Sequence, residues 1–421
     1  MSMLFVFAFL ALNLLTSASE DTVTWPKWAY IICTGLFMFY TFIVLMSKQT
    51  AYSRPIVRHY VRVLLISLLI LTYTAFLALF HSYSFYDWLT DFWSFAPLLL
   101  AFNFACFVST RAQWLRIFSL IILLGDAASL RDFAMQSGLS RMASGQMANV
   151  DFFVAAFLCI GFLIFYENGR LFMLSAFSLP LLLLRTVLSG NRSMVVLLGL
   201  AVLGMLLKKA FGPGRSGDRR KVIHFWASAV VLMLVFAGFT VMGGAALQHA
   251  YAFLGTRFES TQSGLNFRGI EAAVVWSQFT QHPLGTGFGS SAYFPGLKHF
   301  TANSQNYKSY VHNLPLYCLW KLGVLGILLL VVLARSLVKM LMWTWRCRDP
   351  LPFIAYTVVF QYVGYSMVET YFRRHDYNLI VGIVLGFLIY AQRSASLETA
   401  GPTKAVGIAG RGEQRRSVLV S

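Results

Sequence analysis

The chain has 421 residues, 58% hydrophobic and 12% charged, and its 34 Lys and Arg against 16 Asp and Glu give a formal charge of +18. Soluble domains carry about 25% charged residues, so the composition excludes an ordinary soluble protein and points to a chain that mostly meets lipid. Five scattered cysteines without paired spacing give no basis for a disulfide framework or a zinc site.

A spanning helix needs about 20 mostly apolar residues. Hydropathy predicts about twelve such segments, near 2–17, 28–46, 62–80, 92–109, 114–130, 150–166, 171–188, 193–207, 222–243, 312–334, 351–370 and 377–392. The first resembles a signal peptide in length but lacks a basic start, so a retained helix is expected. Asp126 near the outer end of the 114–130 segment suggests a span that stops short. The expected fold class is all-α, a polytopic integral membrane protein whose residues 1–392 form a single transmembrane domain. Residues 393–421, Gly-rich, basic and poor in aromatics, are expected to be a disordered cytoplasmic tail that touches anionic lipid at most.

Basic residues sort by side. Lys48, Arg54, Arg58, Arg62, Arg111, Arg116, Lys208, Lys209, Arg215, Arg219, Arg220, Lys221, Arg335, Lys339, Arg346 and Arg348 fall in alternate connections. The opposite connections hold Glu20, Asp21, Asp87, Asp91 and one long loop, 244–311. The positive-inside rule then places both termini in the cytoplasm and the long loop outside. That accounts for the charge without a nucleic-acid partner. Asp87 and Asp91 read as a solvated helix end, with cation binding the lesser alternative.

Three places on the outer side carry candidate chemistry. Ser189-Gly190-Asn191 is a turn signal that sets Arg185 and Arg192 at the outer ends of two adjacent helices. Such arginines either snorkel to lipid phosphates or face a polar cavity. In the long loop, Asn266 is a good N-cap, and the stretch to Gln281 reads as a helix. Its Phe267, Ile270 and Val274 would lie on the membrane surface, while Arg268 and Glu271 could pair on the wet side. His282-Pro283 ends this helix, and Gly285, Gly287 and Gly289 allow a tight turn, with phosphate binding a weaker reading. His312-Asn313 stands where the chain re-enters the membrane; the imidazole is either an interfacial hydrogen-bonder or a base active near neutral pH. The loop has no Asp-x-Asp, HExxH or GxSxG motif. A phosphorylated donor would therefore have to be held by arginines, whose planar forks bind phosphate oxygens bidentately.

The run Arg268, Trp276, His282-Pro283-Leu-Gly285-Thr-Gly287, then His312-Asn313 and Lys321-Leu-Gly323-Val-Leu-Gly326, resembles the O-antigen ligase and polymerase superfamily. Asn191-Arg192-Ser193 is similar to that family's Ser-Arg-Gly, and Gly138-Leu-Ser-Arg141 to a fainter upstream motif. The resemblance covers roughly 181–335. It implies a GT-C-like glycosyltransferase in the bacterial inner membrane, with a large periplasmic loop over a membrane-level cavity and no metal or other cofactor. The implied donor is a glycan on undecaprenyl diphosphate, and the acceptor is another glycan or lipid A–core. A chain-length regulator and a flippase would be further partners. Arg192, Arg268 and His312 would be catalytic, with Arg141, Arg185, Trp276, His282 and Asn313 binding substrate. The few basic residues of the long loop favour a polysaccharide polymerase over an O-antigen ligase. A transporter is the rival of another class, since about twelve spans is also a carrier size, although carriers place their charges nearer the midplane.

Overall fold

The computed structural model describes residues 54–85, 87–89, 91–92, 95, 98, 105, 108, 110–135, 151–166, 169–188, 192–213, 268–294, 307–308 and 311–399, together with 32, 35–36, 39–40 and 43. The described chain is all-α, with eleven helices and one two-residue strand pair. In chain order these are α1 (Arg54–Phe80), α2 (Arg111–Met135), α3 (Asp151–Phe165), α4 (Arg170–Leu188) and α5 (Arg192–Phe211). Then come α6 (268–281), β1 (Ala292–Tyr293), β2 (Tyr307–Lys308), α7 (Leu314–Leu322), α8 (Val324–Arg346), α9 (Leu351–Ser366), a 3-10 turn (Thr370–Arg373) and α10 (His375–Thr399). Strands β1 and β2 pair antiparallel, Ala292 opposite Lys308 and Tyr293 opposite Tyr307.

Among the described residues three helices are long and apolar enough to cross a membrane: Arg111–Leu130, Val324–Arg346 and Tyr377–Ala395. Helix α3 is apolar around its whole circumference and lies at the centre, against α2, α4, α5 and α9. Phe153 through Phe162 are almost completely buried there, and Gly161 admits the Ile354 side chain of α9. By contrast α8 turns Val324, Ile327, Leu328, Val331, Val332 and Val338 outward. Such an apolar face suits lipid rather than water.

Helix polarity and side-chain bonds divide the bundle into two ends. At one end Arg111, opening α2, forks onto Asp349 with Nε–Oδ2 at 3.0 Å and Nη2–Oδ1 at 3.1 Å, and also donates to Tyr166 Oη at 3.0 Å. There Lys208 Nζ donates to the carbonyls of Thr344, Trp345 and Cys347 at 2.8–3.0 Å, and Lys209 Nζ to that of Ile164 at 2.6 Å. Cations capping the carbonyl ends of α8 and α3 oppose the negative pole of each helix dipole. The opposite end holds the turn from α9 into α10, the start of α7, and α6. Of the basic residues expected on one side, Arg111, Lys208 and Lys209 thus meet at one end, and Arg268 and His312 lie at the other.

Two sequence expectations are corrected. The 114–130 span does not stop short: α2 runs through to Met135, and Asp126, half-buried, accepts from Ser178 Oγ at 2.5 Å. The 312–334 span is not one helix but two, broken at Gly323. The break has a clear cause. The 283–287 turn docks into it, with Val324 N donating to Pro283 O at 3.0 Å, Thr286 N to Trp320 O at 3.0 Å and Gly287 N to Lys321 O at 2.9 Å. Gly323 has φ +58°, and a Cβ there would stand 2.2 Å from Pro283 O and 2.4 Å from Gly285 N. Both partners are backbone atoms in a continuous hydrogen-bonded turn, so neither can step aside. A Gly323→Ala variant is expected to lose at least about 2 kcal/mol of stability through strain and overpacking, read as a lowered apparent melting temperature in detergent.

Helix α10 continues through Thr399, into the stretch expected to be tail, because no Gly or Pro intervenes before Gly401. The spans expected at 2–17 and 222–243, and Arg141, lie outside the described residues.

Candidate functional site

Helix α6 runs over 268–281, the stretch expected to be helical. Its inward face is not the apolar stripe expected to lie on the membrane. Glu271 and Val275 are fully buried, while Ile270 and Val274 are half-buried. A buried carboxylate needs partners, and Glu271 has His312. Its Oε1 lies 2.8 Å from His312 Nδ1, and its Oε2 accepts from the His312 backbone N at 3.3 Å. Two bonds from one carboxylate to one residue fix both the imidazole and the chain that carries it.

Asn313, next along, caps α7: its Oδ1 accepts from Leu316 N at 3.1 Å, with Pro315 in the first turn. Its Nδ2 donates to Met367 O at 2.5 Å, joining the start of α7 to the turn after α9. That turn carries Glu369, whose Oε1 accepts from Arg268 Nη2 at 3.0 Å. Arg268 therefore does not pair with Glu271, three residues along its own helix, but with a carboxylate 101 positions later. The guanidinium and the imidazole are held by neighbouring carboxylates at the same end of the bundle, and each remains partly open: the side chains of Arg268 and His312 are 39% and 27% exposed.

Beneath this pair lies a second charged cluster, whose Asp91 and Lys321 are enclosed and whose Arg373 is mostly buried. Asp91 Oδ2 is 3.1 Å from Lys321 Nζ and its Oδ1 3.0 Å from Arg373 Nη2, while Gly289 N donates to Oδ2 at 2.8 Å. Lys321 Nζ also donates to Ser290 O at 2.6 Å and Ser290 Oγ at 3.0 Å, and it sits 4.4 Å from the centre of the Trp320 ring. Asp91 is thus not a solvated helix end, and the Gly-rich turn is not left open for phosphate. Gly289 approaches Asp87 and Trp88 so closely that a Cβ would come within 2.8 Å of Trp88 N. Asp91 joins three stretches: its own, which follows α1, the 283–290 turn with α7, and the 3-10 turn that follows Glu369.

The remaining candidates fall as follows. Arg185, in the last turn of α4, is 1% exposed, which rules out snorkelling to lipid headgroups. Arg192 is the first residue of α5; two residues on, Met194 Sδ accepts from Gln361 Nε2 of α9 at 3.0 Å, close to the end of α9 that leads to Glu369. His282 packs edge-on against His81 at 5.4 Å. Trp276 is 61% exposed and stands about 140° around α6 from Glu271, given 3.6 residues per turn. The geometry gathers Arg268, His312 and Asn313, and does not bring Trp276 to them. Among the described residues no group of three or more His, Cys, Asp or Glu side chains could hold a metal ion.

Glu271, Glu369, Asp91, Lys321 and Arg373 were missed as site residues by sequence reasoning. A signal existed for Lys321, an isolated cation in the apolar run LPLYCLWKLGVLG, since charges at membrane depth need partners. None existed for Glu369. Neither a scan of protein-family models nor a search of curated proteins finds a match to this chain.

Proposed function

We propose that the chain is a membrane glycosyltransferase that takes a glycan from an undecaprenyl-diphosphate donor at the periplasmic face of the bacterial inner membrane. The preferred product is a polymer of lipid-linked repeat units. The observation that carries this reading is the pairing of Arg268 with Glu369 and of His312 with Glu271 at one end of the bundle, away from the Lys208, Lys209 and Arg111 end. The likeness of these residues, in order and spacing, to the O-antigen ligase and polymerase superfamily supports it.

The chemistry follows from the groups present. With Nδ1 committed to Glu271, proton exchange falls to His312 Nε2. An acceptor hydroxyl loses its proton to that nitrogen as its oxygen bonds to the anomeric carbon. The bond from that carbon to the diphosphate oxygen breaks, and the carrier leaves as undecaprenyl diphosphate. One displacement inverts the anomeric centre. Glu271 stabilises the imidazolium, the part a carboxylate plays behind the histidine of a hydrolase triad. Arg268, joined by Arg192 at the start of α5, offsets the charge that develops on the leaving group, the electrostatic contribution that is usually largest.

Purified chain supplied with undecaprenyl-diphosphate oligosaccharide is expected to release undecaprenyl diphosphate and leave longer glycans on the remaining carrier. Absence of turnover, combined with movement of the intact donor across proteoliposomes, would replace this reading with transport. Transfer only when lipid A–core is added would make the chain a ligase.

A further inference from the structure

We infer that Glu369 is a further determinant of the donor site, a carboxylate that engages Arg268 and must yield it to the donor's diphosphate. The inference rests on the proposed diphosphate-binding role of Arg268 and adds a competitor built into the chain. Four observations carry it.

The contact is single. Among the described residues only Nη2 of Arg268 is engaged, by Oε1 of Glu369 at 3.0 Å. A guanidinium has five N–H donors in a planar fork, so this contact uses little of its capacity, and a diphosphate offering several oxygens can outbid one carboxylate oxygen.

The contact is also reachable. The two side chains are 39% and 28% exposed, against 1% and 0% for Asp91 and Lys321 in the cluster below. Exposed ion pairs are weak and exchange readily with solutes, whereas an enclosed pair stays locked. The protein therefore holds two ion pairs in opposite regimes, Asp91–Lys321 sealed and Arg268–Glu369 open.

Third, Glu369 can let go without disturbing the fold. Its backbone N donates to Tyr365 O at 2.9 Å. On either side the turn is pinned by Asn313 Nδ2 on Met367 O and by Arg373 on Asp91. Only the side chain has to swing.

Finally, Glu369 has no other described duty. The imidazole already has a carboxylate, Glu271, which is 1% exposed in its side chain and bonded twice to His312. A partly open carboxylate beside a proposed anion site opposes an anion by like charge. Its effect is to keep the site from holding free phosphates tightly and to favour a donor that brings additional binding through its lipid and sugar.

The test is binding of inorganic pyrophosphate alone to the full purified chain in detergent, by calorimetry at fixed ionic strength. Glu369→Gln is expected to bind about three- to tenfold more tightly than the unaltered chain, the range set by loss of an exposed ion pair and of one like charge. The gain should vanish when Arg268→Gln is added. Arg268→Lys, which keeps the charge, guards against a misfolded Gln variant and should retain part of the gain. Unchanged or weaker binding by Glu369→Gln, or a gain that persists without Arg268, overturns the competitor role. If Arg268→Gln by itself binds pyrophosphate as well as the unaltered chain, the diphosphate grip falls and the competitor with it, a result distinct from the first.

Discussion

An Arg268→Ala variant is expected to transfer glycan from the lipid-linked donor about a hundredfold more slowly or worse, with its melting temperature in detergent little changed. The two parts of that expectation have different origins. In the proposed reaction the rate loss arises because the leaving diphosphate gains charge as the bond to the sugar breaks, and a guanidinium set against it would stabilise the transition state more than the ground state. The small change in stability follows from exposure: the Arg268–Glu369 pair is partly open to solvent, and such pairs contribute about 0–1 kcal/mol. Truncation leaves Glu369 with water, not stranded in an apolar interior. The measurement is initial rate against donor concentration together with a melting curve. Full activity would remove Arg268 from the mechanism. A collapse of the melting curve would show that the residue holds the fold and says little about catalysis.

How much of this could be read from the residues depends on how local each cause is. Helix α6 was legible because Asn266, the run free of Gly and Pro after Gly269, and Pro283 are all near neighbours in the chain. The division of charges between two ends was legible because alternation of basic loops is a property of the whole sequence. The helix break at Gly323 was not. Hydropathy averaged over 312–334 cannot register that Pro283 O and the Thr286 and Gly287 amides come to occupy the backbone hydrogen bonds of the α7–α8 junction. The motif Gly323-Val-Leu-Gly326 was noticed, yet its reason lies forty residues upstream.

The same distance explains the carboxylates. On a helix, residues three apart are neighbours, so Arg268 with Glu271 was the natural pairing. Tertiary packing overrides it because Glu271 points inward and Arg268 sits at the edge. Glu271 needed a partner inside, and His312 was brought there by the chain's return at α7, 41 positions on. Arg268 and His312 stand out in the sequence as candidates; the carboxylates that hold them, Glu369 and Glu271, meet them only through tertiary packing. Asp91 was misread for a related reason. Ahead of an aromatic-rich segment, an acid looks solvated until Lys321 and Arg373 arrive to enclose it.

That enclosure leads to the largest expected effect on the fold. Lys321→Met is expected to destabilise the protein by about 3–5 kcal/mol, the range for breaking a buried ion pair from one side. It should also expose the 283–290 turn to protease. Asp91 would keep Arg373 and the Gly289 amide but lose its enclosed partner, and Ser290 would lose the donor to both its carbonyl and its hydroxyl. The turn is otherwise held by backbone bonds from 286, 287 and 324, so it should loosen at its 288–290 side first. A second variant separates lost attraction from a stranded charge. If the cost is a buried carboxylate left with one cation where it had two, Asp91→Asn combined with Lys321→Met should recover part of the stability, because neighbouring substitutions in one network are not additive. If the double variant is worse by the sum of the two single losses, Asp91 and Lys321 act independently, and the buried cluster is not what fastens the turn to the helix break.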